Sequence, residues 1–105
     1  MIFVANDPVF APTSFSVEGP VITISGELDL ATSVDLLESI VEVARSSPSQ
    51  VVVDLTDVTF MDSAALDAID TAHSRVPDCQ IVLRSPSSWI RKLLVLTHME
   101  SVCTF

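Results

Sequence analysis

Residues 50–76 read QVVVDLTDVTFMDSAALDAIDTAHSRV, and they change character at Asp62. Before it, QVVVDL is a continuous apolar run of strand length, the kind expected in a sheet covered on its faces. After it, Ala65, Leu66, Ile69, Ala72, His73 and Val76 recur at helical spacing on one face, and Pro77 stops the pattern. A buried strand running straight into an amphipathic helix is half of a β-α-β unit. Ser63 falls at the join, behind an acid and at the start of the helix.

The same alternation extends in both directions. Upstream, SFSVEG and VITISG alternate apolar and polar residues as strands do, and Gly19–Pro20 between them signals a hairpin turn. GELDLAT leads into a helix carrying Leu36, Leu37, Ile40, Val41 and Ala44 on one face and Glu38 and Glu42 on the other; it ends near Ser46–Ser47–Pro48. Thr32 with Asp35 resembles a capping box at its start. Downstream, CQIVLR reads as a buried strand and Ser85–Pro86 as the opening of a third helix, with proline at the first helical position. Ile90, Leu93, Leu94 and Thr97 line that helix's inner side, and SVCTF closes the chain as a short strand. The order β-β-α-β-α-β-α-β predicts an α/β fold: one domain with a mixed, mostly parallel sheet, an N-terminal hairpin and about three packed helices. Residues 1–14, apolar but interrupted by prolines, form an arm or edge strand ahead of a domain spanning 15–105.

Composition narrows the function. The chain has 105 residues and a net charge of −9, which excludes binding to a nucleic-acid backbone. Residues 1–74 hold twelve of the fourteen acids and one base, Arg45, whereas residues 75–105 hold four bases and two acids. An acidic N-terminal portion suits a protein partner with a basic surface. No apolar run approaches the roughly 18–20 residues that span a bilayer, so direct membrane insertion is not expected. The start lacks a basic residue and is broken by Asn6, Asp7 and Pro8, unlike a secretory signal. A cytoplasmic location follows as the expectation.

Cys79 and Cys103 have no His partner at metal spacing, so no metal and no cofactor are expected. Buried reduced thiols are the simple reading, and a redox pair between neighbouring strands is the alternative. His73 reads as a partly buried structural residue and His98 as a surface or helix-end residue. Trp89 and Leu93–Val95 read as core or half-core of the third helix, with an exposed partner patch as the alternative. Ser63 lacks elbow glycines and an evident base, which argues against a hydrolase and against enzymatic activity in general. Taken alone, Ser63 at a helix start is a cap or a solvated residue.

Three stretches in order, GELDLAT, VVVDLTDVTFMDSAAL and SPSSWIRKLLVLT, resemble the STAS domain of the bacterial anti-sigma factor antagonists over about residues 15–105. The resemblance implies an antagonist that binds an anti-sigma factor, an ATP-binding serine kinase, and so frees a sigma factor. It implies phosphorylation of Ser63 as the off-switch and a metal-dependent, PP2C-type phosphatase that resets it. Asp29, Thr32, Asp62, Ser63 and Ala64 fall on the expected partner-binding surface. Ala64 and Ala65 stand where the family commonly has Ser and Gly, which stiffens the first helical turn and brings methyl groups to the surface a kinase approaches. His98 replaces a glycine often found before the last strand. Two other readings stay open: an unphosphorylated STAS adaptor of a transporter or sensory assembly, and an antagonist gated by Cys79 and Cys103.

Overall fold

The computed structural model describes residues 12–105, so most of the arm expected over residues 1–14 lies outside the described residues. The elements are β1 (Ser14–Glu18), β2 (Val21–Leu28), α1 (Ser33–Ser46), β3 (Gln50–Met61), α2 (Ser63–Arg75), β4 (Gln80–Arg84) and α3 (Ser88–Leu96). The sheet has the order β1-β2-β3-β4, antiparallel for the first pair and parallel for the other two. Gly19 makes the expected hairpin turn at φ +58°, a left-handed conformation that glycine adopts without a Cβ penalty.

Strands added in one direction, each through a right-handed crossover, place their helices on the same side of the sheet. The packing follows. Ile22, Val53 and Leu83 form a register row across β2, β3 and β4, and they share one core with Leu36 and Ile40 of α1, Ala65 and Ile69 of α2, and Ile90 and Leu94 of α3. Val43 joins this core as well, a position the sequence periodicity of α1 had not assigned. The described helices thus pack on one side, yet Val51, Val52 and Val53 are all buried, so the continuous apolar run of β3 is covered on both faces, as expected. The neighbouring row, Thr23, Asp54 and Arg84, is polar and lies on the opposite side.

Three expectations for the C-terminal third need correction. α3 does not open at Pro86: Ser87 is its N-cap, with Oγ accepting from the Ile90 N–H at 3.3 Å, and Pro86 precedes the cap. The hydroxyl satisfies a helix-end donor, which a proline ring cannot do. Thr97 is exposed rather than inward, its Oγ1 donating to the Leu93 carbonyl at 2.7 Å. The closing strand shrinks to a single parallel bridge between Val82 and Thr104, because a 3-10 turn at Met99–Ser101 uses the residues ahead of it.

His98 stands between α3 and that turn at φ +59°. A side chain there costs about 1 kcal/mol relative to glycine, which is the usual residue just past a helix end. His98→Gly is expected to stabilise the fold by about 1 kcal/mol, raising Tm by roughly 4 °C for a domain of this size. Thermal unfolding followed by circular dichroism checks this.

On the polar face, Asp54 accepts from the Thr56 hydroxyl at 2.6 Å, from the Thr56 N–H at 3.0 Å and from Arg84 at 2.9 Å. These bonds, led by the Thr56 hydroxyl, pull its carboxyl down to about 2 from the unfolded value of 3.8. A lowered folded pKa stabilises the fold above the unfolded pKa and ceases to do so as pH falls through the folded one. Half-exposed Arg84 screens the network, leaving about 1 kcal/mol. Asp54→Asn should lose that much at pH 7, and the deficit should close between about pH 4 and pH 2 in urea titrations.

Candidate functional site

The two stretches that hold the expected partner-binding residues, around Asp29 and around Asp62, lie side by side. Leu28 ends β2 and Met61 ends β3, and the two are register partners. Beyond them the Asp62 N–H donates to the Leu28 carbonyl at 3.2 Å, which ties the Asp29 loop to the start of α2. The site is thus at the carboxyl ends of parallel strands, where helix N-termini gather and ligands of open α/β sheets bind.

Asp62 is the N-cap of α2. Its Oδ1 accepts from the N–H groups of Ala64 at 3.0 Å and Ala65 at 3.2 Å. Ser63 is the first helical residue and is exposed. Capping is therefore done by Asp62, and the Ser63 hydroxyl is left facing solvent. Ala65 is fully buried, so its methyl belongs to the core and presents nothing to a partner. Ala64 is half-buried and is the methyl group of this pair that borders the surface. The expected obstruction by two methyl groups is thus reduced to one.

Asp29 and Thr32 brace the neighbouring loop against itself. Asp29 Oδ1 accepts from the N–H groups of Ala31 at 3.0 Å and Thr32 at 3.3 Å. The Thr32 hydroxyl accepts from the Asp29 N–H at 3.0 Å and lies 3.2 Å from the Glu27 carbonyl. The capping box read from Thr32 and Asp35 does not form: Thr32 occupies the N-cap position, but its side chain makes no capping bond to α1. Its oxygen is taken up backwards, by the loop. Gly26, at φ +100°, holds the loop's base, where an added Cβ would come within 3.1 Å of the Thr13 backbone.

The structure also exposes apolar residues, of which Leu30, Val34 and Phe60 were not read as exposed from the sequence. Leu30 is 77% exposed, Val34 60%, Phe60 40% and Trp89 46%, all close in sequence to the carboxyl ends of β2, β3 and β4. Phe60 and Trp89 meet with ring centroids 6.2 Å apart. Of the stretch read together with it, Trp89 and Val95 are exposed while Leu94 is core and Leu93 half-buried. Leu30 offered a signal in the sequence, an apolar residue inside a polar turn; Phe60 offered none, because it stands two residues after Val58 and so reads as sharing that residue's strand face.

Cys79 and Cys103 belong elsewhere. Cys79 precedes β4 at the amino ends of the strands, and both thiols are free and buried. Their sulfurs face different carbonyls, Cys79 that of Ser47 at 3.7 Å and Cys103 that of Met99 at 3.4 Å. Burial raises both thiol pKa values, that of Cys103 to about 12 with help from Glu100. Protonated thiols are poor nucleophiles. His73 is half-buried, as expected, with Nδ1 unpartnered. Among the described residues no group of three or more His, Cys, Asp or Glu is placed to hold a metal ion, and no helix is long and apolar enough to cross a membrane.

Asp62→Ala is expected to cost about 1 kcal/mol of stability by orphaning two amides, and Asp62→Asn to recover most of it; chemical denaturation measures both. Thiol alkylation near pH 7.5 should label neither cysteine in the folded protein and both after unfolding, as read by intact mass.

A model of the STAS domain family matches residues 12–105. A stretch of 56 residues is 36% identical to the anti-sigma-F factor antagonist RsfB of Mycobacterium tuberculosis, in strains CDC 1551/Oshkosh and H37Rv alike. That match covers 53% of this chain and 46% of the relative, so the chain spans about half the length of the curated relatives it matches. The fold is similar to that of an anti-sigma factor antagonist from Mycobacterium paratuberculosis, with TM-score 0.63 and 26% identity over 88% of this chain and 81% of that one. It is also similar to the anti-sigma factor antagonist SpoIIAA in its unphosphorylated form, with TM-score 0.60 and 18% identity over 81% of this chain and 83% of that one. With the family model spanning all the described strands and helices, the chain belongs to the STAS domain family.

Proposed function

We propose that the protein is an anti-sigma factor antagonist: it binds an anti-sigma factor that is an ATP-binding serine kinase, and so frees a sigma factor. Phosphorylation of Ser63 ends the interaction, and a PP2C-type phosphatase restores it. The protein itself acts by binding, not by catalysis. The observation that carries this reading is the exposed Ser63 hydroxyl at the first turn of α2, tied through Asp62 and Leu28 to the Asp29 loop. The similarity to mycobacterial anti-sigma factor antagonists supports it.

The local electrostatics suit an off-switch. A phosphoryl group adds roughly −1.5 to −2 charges at pH 7. A helix N-terminus stabilises a nearby anion by about 0.3–1 kcal/mol. Here the Asp62 carboxylate already takes the amides of Ala64 and Ala65, so less of that stabilisation is left for a phosphate. Asp67 follows four residues after Ser63, a like charge on the same helix face, and the bases of α2, His73 and Arg75, stand in its last turn. An unmodified Ser63 is small and neutral, so it tolerates close contact. A dianion there meets carboxylates and no cation on its own helical turn. Binding weakens without any refolding of the domain.

Titration calorimetry with the cognate anti-sigma factor tests this. Ser63→Ala should bind as the wild type does, and Ser63→Asp should weaken binding by at least about tenfold. Equal affinities for the two variants would favour an adaptor role in which Ser63 is no switch.

A further inference from the structure

We propose that Phe60, Trp89 and Glu27 form a receptor for an arginine side chain of the protein partner, and that this contact anchors the complex independently of the state of Ser63. Phe60 is 40% exposed and Trp89 46% exposed, although both are large apolar side chains in a chain with a well-filled core. Their rings lie 6.2 Å apart and are inclined at 44°, so they form an open aromatic corner rather than a closed stack. Glu27 is the register partner of Phe60 on β2, which places its exposed side chain beside that corner on the same side of the sheet. None of the salt bridges among the described residues uses Glu27.

A planar guanidinium fits this combination in two ways. It stacks on aromatic faces, best on tryptophan, and it donates a pair of N–H bonds to a carboxylate. Lysine offers a point charge without the plane, and an acidic side chain would be repelled by Glu27. The wider surface favours the same occupant. Residues 12–74, which include β2, β3 and the Asp29 loop, contain one base, Arg45, whose guanidinium is paired with Glu42; α3, which brings Trp89, adds Arg91, held over the Phe105 ring at 5.7 Å, and Lys92. Phe60 stands two residues before the α2 cap and Glu27 two residues before Asp29, so the corner belongs to the same strand ends as the Ser63 and Asp29 loops. This deepens the proposed function, since the partner is that reading's anti-sigma factor, yet the chemistry of the corner can be probed without it.

Trp89 is the chain's single tryptophan, so its fluorescence reports on the corner directly. The full chain is titrated with the acetylated hexapeptide Ala-Leu-Arg-Leu-Arg-Ala and with its lysine and glutamate counterparts. The arginine peptide should change Trp89 emission saturably, the lysine peptide should bind at least about threefold more weakly, and the glutamate peptide should not bind. Glu27→Gln should weaken the arginine peptide by about threefold or more while Tm stays put. No change in emission, or equal responses to all three peptides, would overturn the proposal whatever the identity of the partner. With the anti-sigma factor, Trp89→Ala and Phe60→Ala should each weaken binding about tenfold or more, and equally so in Ser63→Ala and Ser63→Asp backgrounds. Loss under twofold in both would overturn the anchoring role, whereas intact peptide binding with no anti-sigma binding at all would overturn the proposed partner instead.

Discussion

Everything at the site depends on the parallel pairing of β2 with β3 at its last rung. Leu28 faces Met61 across the sheet, and one backbone bond further on, from Asp62 to Leu28, joins the two loops that leave these strands. Parallel strands end at the same edge, so the loops after them must be neighbours. The buried side chains of Leu28 and Met61 fix that rung to the core. A one-residue slip of either strand would turn its core set outward and carry Asp29 away from Ser63.

From this edge the division of labour follows from side-chain chemistry. Asp62 spends its carboxylate on the amides of α2, while the Asp29 carboxylate and the Thr32 hydroxyl bond within their own loop. Each carboxylate uses one oxygen, Oδ1, to brace its loop or helix end. Ser63 has no such engagement, and Phe60, Trp89, Leu30 and Val34 are exposed apolar surface. The surface thus presents a free hydroxyl and exposed apolar side chains beside acidic loops.

The order of elements was legible because each carries its period: apolar alternation in β2, a continuous apolar run in β3, and three- and four-residue spacing in α1 and α2. Asp62 as a cap was legible for the same reason, standing where one period stops and the other begins. What escaped was set by contacts distant in sequence or by direction. Thr32 has the right residue type for a capping box, yet its oxygen is claimed by Glu27 and Asp29 behind it. Phe60 looks like any other strand residue until the bulge between Gly26 and Glu27 shifts its register and leaves it in solvent. The final strand failed because the left-handed turn at His98 and the 3-10 turn after it consume its first residues.

The central claim is that Ser63 is the residue whose modification governs this surface. The most direct measurement is intact-mass analysis with phosphosite mapping on the protein purified from its native cells, with phosphatases inhibited and across growth and stress conditions. The account predicts a single phosphoryl group, located on Ser63, whose occupancy changes with condition. A protein that stays unmodified throughout, or that carries phosphate only at other residues, would contradict it.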